Sequence, residues 1–225
     1  MAEESRSDTG TSSTIGSAGT AVKDGIVGSL KGINESEAEI VNLVRRTVAN
    51  SLKATGEVAS DSLAVTSDVI KGMLQATEEM GTGLIVSTKS VIKGIVLGVR
   101  DAGGDVLTVA HQAVKGTVAG AAGIGADVAT VAQSAVHGVI EAVRETGGNV
   151  GEAAQAAAQG ASEAAGTLSH AAVEAVTDML GRVVEGMKDV LGAVLPRASS
   201  TTASGQSSSP TSTGPESSQQ RETQG

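Results

Sequence analysis

The chain of 225 residues contains no phenylalanine, tyrosine, tryptophan or cysteine, and only three prolines. Globular proteins usually depend on aromatic side chains for a large part of their buried area. Their complete absence points to a repetitive, quasi-one-dimensional protein built from small aliphatic side chains. Without cysteine there is neither a disulfide framework nor a thiolate metal site, which fits a reducing compartment. We therefore expect a cytoplasmic location, either free or peripheral to a membrane or an inclusion.

Residue patterns that carry catalysis are also missing. The sequence has no Ser/His/Asp order, no HExxH motif and no phosphate-binding loop. The segment GIGADV, residues 123–128, does not complete a dinucleotide-binding motif. His111, His137 and His170 are widely separated along the chain, whereas a zinc site needs three or four close ligands. We expect no enzyme activity, no cofactor, no metal and no small-molecule substrate.

Positive charge is scarce, with 16 Lys and Arg against 25 Asp and Glu, which gives a net charge of −9. Arg45 and Arg46 form an isolated basic pair, which we interpret as part of a solvated helix face. Since nucleic-acid binding needs clustered basic residues, we expect no nucleic-acid partner. No window reaches about 18 uncharged apolar residues, so the sequence predicts no transmembrane segment.

What the sequence does contain is a repeat of 22 residues, a period typical of repeat architectures. Copies start at Val69, Val91, Ala113 and Ala135, and a weaker fifth copy starts at Ala157. We number the places within a copy from one to 22. Glycine occupies the fourth place of all five copies (Gly72, Gly94, Gly116, Gly138, Gly160) and the thirteenth place of four copies (Gly81, Gly103, Gly125, Gly147).

The repeat predicts an amphipathic α-helix. At about 100° per residue, eight of the places in a copy fall in one apolar arc, opposite the charged side chains. We call this arc the apolar stripe and expect it to be the interaction surface of the protein. Its candidate residues are Val91, Ile92, Ile95, Val96, Val99, Val106, Val109, Val114, Val118, Val128, Val131, Val136, Val139, Ile140, Val143 and Val150.

Two interpretations of the glycines stay open. Because 22 is twice 11, and an 11-residue unit gives about 3.67 residues per turn, the stripe stays in phase along one continuous helix. Alternatively, Gly103-Gly104-Asp105 and Gly147-Gly148-Asn149 are each a helix C-cap followed by a new N-cap. Each copy would then be one helix of an antiparallel array. The unbroken phase favours the continuous helix slightly.

The composition divides the chain into five segments, and the fold class that they predict is all-α. Residues 1–18 and 196–225 are rich in small polar residues and should be disordered tails. Residues 19–68 form an N-terminal helical segment, in which Ser36 and Glu39 form a capping-box pattern. The repeat region covers 69–178, and a C-terminal amphipathic helix covers 179–195 and ends before Pro196.

The segments AVKGTVAGAAG and GADVATVAQSAV, between Ala113 and Val136, resemble the 11-residue units of synucleins. The doubled period is similar to that of exchangeable apolipoproteins, and the 11-residue unit is shared with perilipins and late-embryogenesis-abundant proteins. The resemblance is one of pattern and covers about half of the chain. It implies helices that form on a lipid or drying surface. In contrast to synucleins, the third-place lysines Lys71, Lys93 and Lys115 give way to His137 and Gln159.

From the stripe, we expect a non-enzymatic protein that binds or coats a lipid, droplet or granule surface. A second hypothesis is a structural or scaffolding protein whose stripes pack against one another, within one chain or by self-association. A third is a stress protectant that becomes helical on drying. The expected partners are accordingly a lipid or granule surface, or a second copy of the chain.

Overall fold

A computed structural model describes residues 6–31, 37–80 and 84–194, with side chains for 16–28, 37–79, 84–85, 87–183 and 185. The chain is all-helical in these ranges, as its composition predicts. The helices are α1 (Arg6–Lys31), α2 (Glu37–Thr55), α3 (Val58–Met80), α4 (Leu84–Asp101), α5 (Val106–Gly123), α6 (Val128–Thr146), α7 (Val150–Leu168) and α8 (His170–Val194).

The thirteenth-place glycines in the described residues end helices. The prediction of one continuous helix, which the unbroken phase of the apolar stripe favoured slightly, is therefore wrong. Gly103, Gly125 and Gly147 have φ angles of 82°, 71° and 71°, a left-handed conformation that side chains other than glycine adopt with strain. A new helix starts at once, because Asp105, Asp127 and Asn149 accept hydrogen bonds from the first free amides of α5, α6 and α7. Gly81 lies outside the described residues.

Helices that are two apart in the chain pack side by side in the same direction. In α2 and α4, Gly94 lies against Val44, and Gly98 lies one turn further along, against Val48. In the pairs α3–α5, α4–α6 and α5–α7, contacts likewise move forward along both helices together, so the two helices of each pair run in the same direction. The odd-numbered helices α1, α3, α5 and α7 therefore form one layer. The even-numbered helices α2, α4, α6 and α8 form a second, and consecutive helices connect the two.

The fourth-place glycines allow four of these side-by-side contacts to be very close. A Cβ atom at Gly138 would lie 2.5 Å from the carbonyl oxygen of Lys89, and one at Gly94 would lie 2.9 Å from that of Val41. Added Cβ atoms at Gly72 and Gly160 would overlap carbonyl oxygens of α1 and α5. Because only glycine permits such an approach of two backbones, the fourth place is a packing position.

A single core of small aliphatic side chains runs between the layers, from Ala18 in α1 to Val183 in α8. Helices α1 and α2 share this core with the repeat region 69–178. Helix α1 begins at Arg6, inside the segment that composition assigned to a disordered tail. Within α1, Ala18 is buried, and the amide of Gly19 donates a 2.7 Å hydrogen bond to the Asp68 carboxylate.

The other predicted boundaries differ by a few residues or lie outside the described residues. Helix α2 begins at Glu37, but Ser36 of the predicted capping box lies outside the described residues. Helix α8 begins at His170 rather than at residue 179 and is described to Val194. The predicted C-terminal tail, 196–225, lies outside the described residues.

Candidate functional site: the apolar stripe and the ion-pair ladder

The apolar stripe lies inside the protein. Three stripe residues are half-buried against the core, and each is the first residue of its helix: Val106 of α5, Val128 of α6 and Val150 of α7. The other thirteen are buried: Val91, Ile92, Ile95, Val96, Val99, Val109, Val114, Val118, Val131, Val136, Val139, Ile140 and Val143. Each buried Val or Ile contributes about 1.5–3 kcal/mol relative to exposure. The stripe is thus fully used in internal packing in this folded state.

Charged side chains connect the even-numbered helices on the outside of the fold. Lys89 of α4 lies 3.4 Å from Glu37 of α2 and 2.9 Å from Glu141 of α6. One turn further on, Lys93 lies 3.8 Å from Glu141 and 3.0 Å from Glu145. These five residues form one chain of alternating charge across three helices. We call the ion pairs between helices, here and elsewhere in the fold, the ion-pair ladder.

The ladder continues in the odd-numbered layer and in the middle of α2. Lys23 of α1 pairs with Glu79 of α3 at 3.0 Å, and Lys115 of α5 pairs with Glu163 of α7 at 2.8 Å. Arg45 of α2 lies 2.6 Å from Asp101 of α4. Arg45 is therefore ion-paired on a helix face where 35% of its side chain stays exposed to solvent.

The ladder has a direction. In all but one of the pairs in the described residues, the cation is on the earlier helix and the carboxylate is two helices later. Lys93 and Lys115 are third-place lysines, and each reaches a glutamate 48 residues further along the chain. Gln159 of α7 has no helix two places later within the described residues.

Hydrogen bonding within the ladder perturbs several protonation equilibria. The pKa of Lys89 is raised, mainly by its hydrogen bond to Glu141, and the pKa of Arg45 is raised by its hydrogen bond to Asp101. The pKa of Glu163 is lowered by hydrogen bonds from Lys115 and His111. All these groups are well solvated, and surface pairs typically contribute only about 0–1 kcal/mol each. The ladder therefore sets the register of the helices more than it stabilises them.

A groove of about 510 Å³ lies over α4, between α2 and α6. Its floor includes Ser90 and Leu97, and its rim carries the ladder residues Lys89, Lys93 and Glu141. Since the ladder charges neutralise one another across the groove, no charge of either sign dominates it. A smaller concavity of about 330 Å³ at the end of α2 has Arg46 and Lys53 in its lining.

The histidines are dispersed over the surface. His111 lies 3.2 Å from Glu163, whereas His137 and His170 are exposed on other helices. In the described ranges, no three His, Asp or Glu side chains come together as metal ligands. The charged side chains thus connect neighbouring helices to one another.

One feature escaped the sequence reasoning. Hydroxyl groups of five buried residues have no hydrogen-bond partner within the described structure: Thr66, Ser87, Thr88, Ser90 and Thr117. The repeat itself contains a signal for two of them. Thr117 stands at the fifth place, where other copies have Ile95 and Val139. Thr88 stands at the twentieth place, where later copies have alanine.

Comparison with known proteins assigns no family to the chain. No protein-family model matches the sequence, and no curated protein matches it. None of the helices in the described part of the chain is long and apolar enough to cross a membrane.

Proposed function

We propose that the chain acts as a structural, non-enzymatic scaffold in which the apolar stripes of successive repeats pack against one another within the chain. The burial of the stripe carries the proposal. Val91, Ile95, Val99 and Val139 are fully inaccessible to solvent, so a partner could reach them only if the helices separated. Close glycine contacts and a directional ladder favour one defined arrangement over a loose set of helices.

A folded scaffold and a surface coat differ in their response to lipid. Circular dichroism in buffer, with neutral vesicles and with anionic vesicles, should give the same high helix content in all three. Thermal unfolding should be cooperative, and the hydrodynamic radius should be that of a compact chain. A chain that is mostly unfolded in buffer and becomes helical with vesicles would contradict the proposal. A gain of helix only on drying would favour the protectant hypothesis instead.

Coating of a lipid or granule surface is a second candidate, and it requires the folded array to open. The buried hydroxyls favour it, because each unpartnered hydroxyl makes the closed state less favourable by roughly 1–3 kcal/mol. Seven of the eight described helices also contain at least one glycine, which weakens them when they stand alone. Helix content that is high in buffer, together with loss of cooperative unfolding and binding of the chain to neutral vesicles, would support this candidate.

Self-association is the remaining alternative for a scaffold. Because the stripe is occupied within the chain, association would have to use outward surfaces such as the groove over α4. Sedimentation equilibrium of the full chain would distinguish a monomer from an oligomer. A monomer over a wide concentration range is the expected result.

A further inference from the structure

The contact between α3 and α5 differs from the side-by-side contacts α1–α3, α2–α4, α4–α6 and α5–α7. Ion pairs cross α1–α3, α2–α4, α4–α6 and α5–α7, but none crosses α3–α5, where all side chains of the facing segments are described. Lys71 of α3 is a third-place lysine, and the residue 48 positions later is Ala119. At the spacing that gives Lys93 and Lys115 their glutamates, Lys71 therefore has an alanine and no carboxylate.

Backbone packing is also looser here. A Cβ atom at Gly116 would make an ordinary contact of 3.4 Å with the end of the Ile70 side chain. At Gly120, an added Cβ would meet the flexible end of Leu74 rather than backbone. Among the pairs α1–α3, α2–α4, α3–α5, α4–α6 and α5–α7, α3–α5 has the least extensive contact. We call this contact the α3–α5 seam.

The unpartnered buried hydroxyls lie on the helices that surround the seam. Thr66 is on α3 and Thr117 is on α5, while Ser87, Thr88 and Ser90 are near the start of α4, which packs against both. Thr66 and Thr117 belong to the two helices of the seam, so water that enters an opened seam can hydrogen-bond to them, and this offsets part of the free-energy cost of opening. Ser90, in contrast, lines the groove between α2 and α6. The odd-numbered layer therefore has its least favourable contact in its middle.

The even-numbered layer is continuous at the same level. Helix α4 is joined to α2 through Lys89 and Glu37, and to α6 through Lys89 and Lys93 with Glu141. Gly94 and Gly138 bring the backbones of α2, α4 and α6 close together. Separation of α3 from α5 would leave all these contacts in place.

We propose that the α3–α5 seam is a built-in opening line: α3 and α5 separate in the folded protein while α4 holds the two halves together. Opening breaks no ion pair, hydrates unpartnered hydroxyls and exposes Ile70 and Leu74 to solvent. This inference concerns the folded chain itself, and it stands whether the protein is a scaffold or a surface coat.

Thiol labelling tests the proposal directly, because the natural chain has no cysteine. Thr117→Cys introduces a single thiol in α5, and Val139→Cys introduces a single thiol in α6. Both residues hold the fifth place of their copy and are fully buried in the natural chain. Under native conditions, the thiol at position 117 should react about tenfold faster or more, since local opening has a lower free energy than global unfolding. Val139→Cys removes more apolar volume, so any destabilisation acts against the expected difference. Equal rates, or a faster thiol at position 139, would overturn the proposal.

A second variant supplies the missing ion pair. Ala119→Glu in the Thr117→Cys background gives Lys71 a carboxylate at the spacing of Lys115 and Glu163. The labelling rate should fall several-fold relative to the matched control Ala119→Gln, and the difference should shrink at high salt. Both substitutions are at an exposed position, and Glu and Gln have similar helix propensities. Equal rates for the two variants would count against opening between these helices.

Hydrogen exchange of the unmodified chain avoids any risk that a variant misfolds. Peptides from α5 around residues 113–121 should exchange faster than peptides from α6 around residues 135–143. Slower exchange in α5 than in α6, or identical exchange in both, would contradict the seam.

Discussion

The packing of α4 against α6 and the packing of α3 against α5 use the same repeat with different results. At the first contact, Gly138 lies against backbone, and two lysines of α4 reach two glutamates of α6. At the second, an added Cβ at Gly116 would meet only the end of a side chain, and the residue 48 positions after Lys71 is Ala119. Yet Gly116 and Gly138 hold the same place in successive copies. The strength of a contact between two helices thus depends on the residues of both helices, and not only on the place that a residue holds in its own repeat copy.

The largest expected effect comes from a charge in the centre of the tight region. Val96→Asp places a carboxylate between α4 and its neighbours, where Val96 is 1% exposed. We expect a loss of roughly 4 kcal/mol or more and global unfolding, measured by urea denaturation. Lys93→Gln, on the outer face of the same helix, should cost less than about 1 kcal/mol.

Val118→Asp sharpens the comparison, because it places the same charge in α5. Opening of the seam would hydrate this carboxylate while the even-numbered layer stays folded. Its cost should therefore be smaller than that of Val96→Asp, and much of the helical signal should remain. A larger loss for Val118→Asp would show that the two regions do not differ as proposed.

Fourth-place glycines should respond in opposite directions in the two regions. Gly138→Ala brings a methyl group against the Lys89 carbonyl oxygen and should cost about 1–3 kcal/mol. Gly116→Ala makes only an ordinary contact and should raise stability by about 0.5–1 kcal/mol through helix propensity. Thermal and urea unfolding of the two variants measures the difference. Stabilisation by both changes would mean that the backbones are not held close at Gly138.

Buried threonines allow a smaller test of the seam. The hydroxyl of Thr117 has no partner, whereas Thr77 donates a 3.0 Å hydrogen bond to the carbonyl oxygen of Met73. Thr117→Val should stabilise the fold by about 1 kcal/mol, while Thr77→Val should be neutral or destabilising by a similar amount. Unfolding free energies decide the question. If both variants behave alike, the hydroxyl of Thr117 has a partner in solution.

The helix caps should show no difference between the regions. Asp105 starts α5 and Asp127 starts α6. The pKa of Asp105 is lowered by hydrogen bonds, mainly from the Thr108 hydroxyl, and that of Asp127 mainly by the Thr130 amide. Substitution of either by Ala should cost about 0.5–1 kcal/mol at neutral pH.

The pH dependence of the caps follows from the direction of these shifts. A folded-state pKa below the unfolded value of about 3.9 contributes stability above that pH, and the contribution is lost as pH falls through the folded pKa. The difference between the natural chain and Asp105→Ala should therefore shrink below about pH 4. Asp105→Asn should keep much of the cap and lose this pH dependence. A gap that stays constant down to pH 2 would exclude the charged cap.

Local physical chemistry made several features predictable from the sequence. The helical class follows from the period of the apolar residues. The turns at Gly103 and Gly147 are indicated by glycines that are followed by an Asp or Asn helix cap. The stripe residues also follow from the period, because any helix with that face must bury it. The continuous helix was the wrong choice, since an 11-residue phase is preserved equally well when each copy reverses direction in a tight turn.

The tertiary structure alone decided what the stripe faces and which places form contacts. The same arc of Val and Ile could cover a lipid surface, a second chain or its own neighbours, because apolar burial is not directional. The partners of Lys93 and Lys115 lie 48 residues away, a spacing that depends on packing between helices two apart. The seam depends on the same packing, because only the tertiary structure places Gly116 and Gly120 of α5 against the side chains of Ile70 and Leu74 of α3.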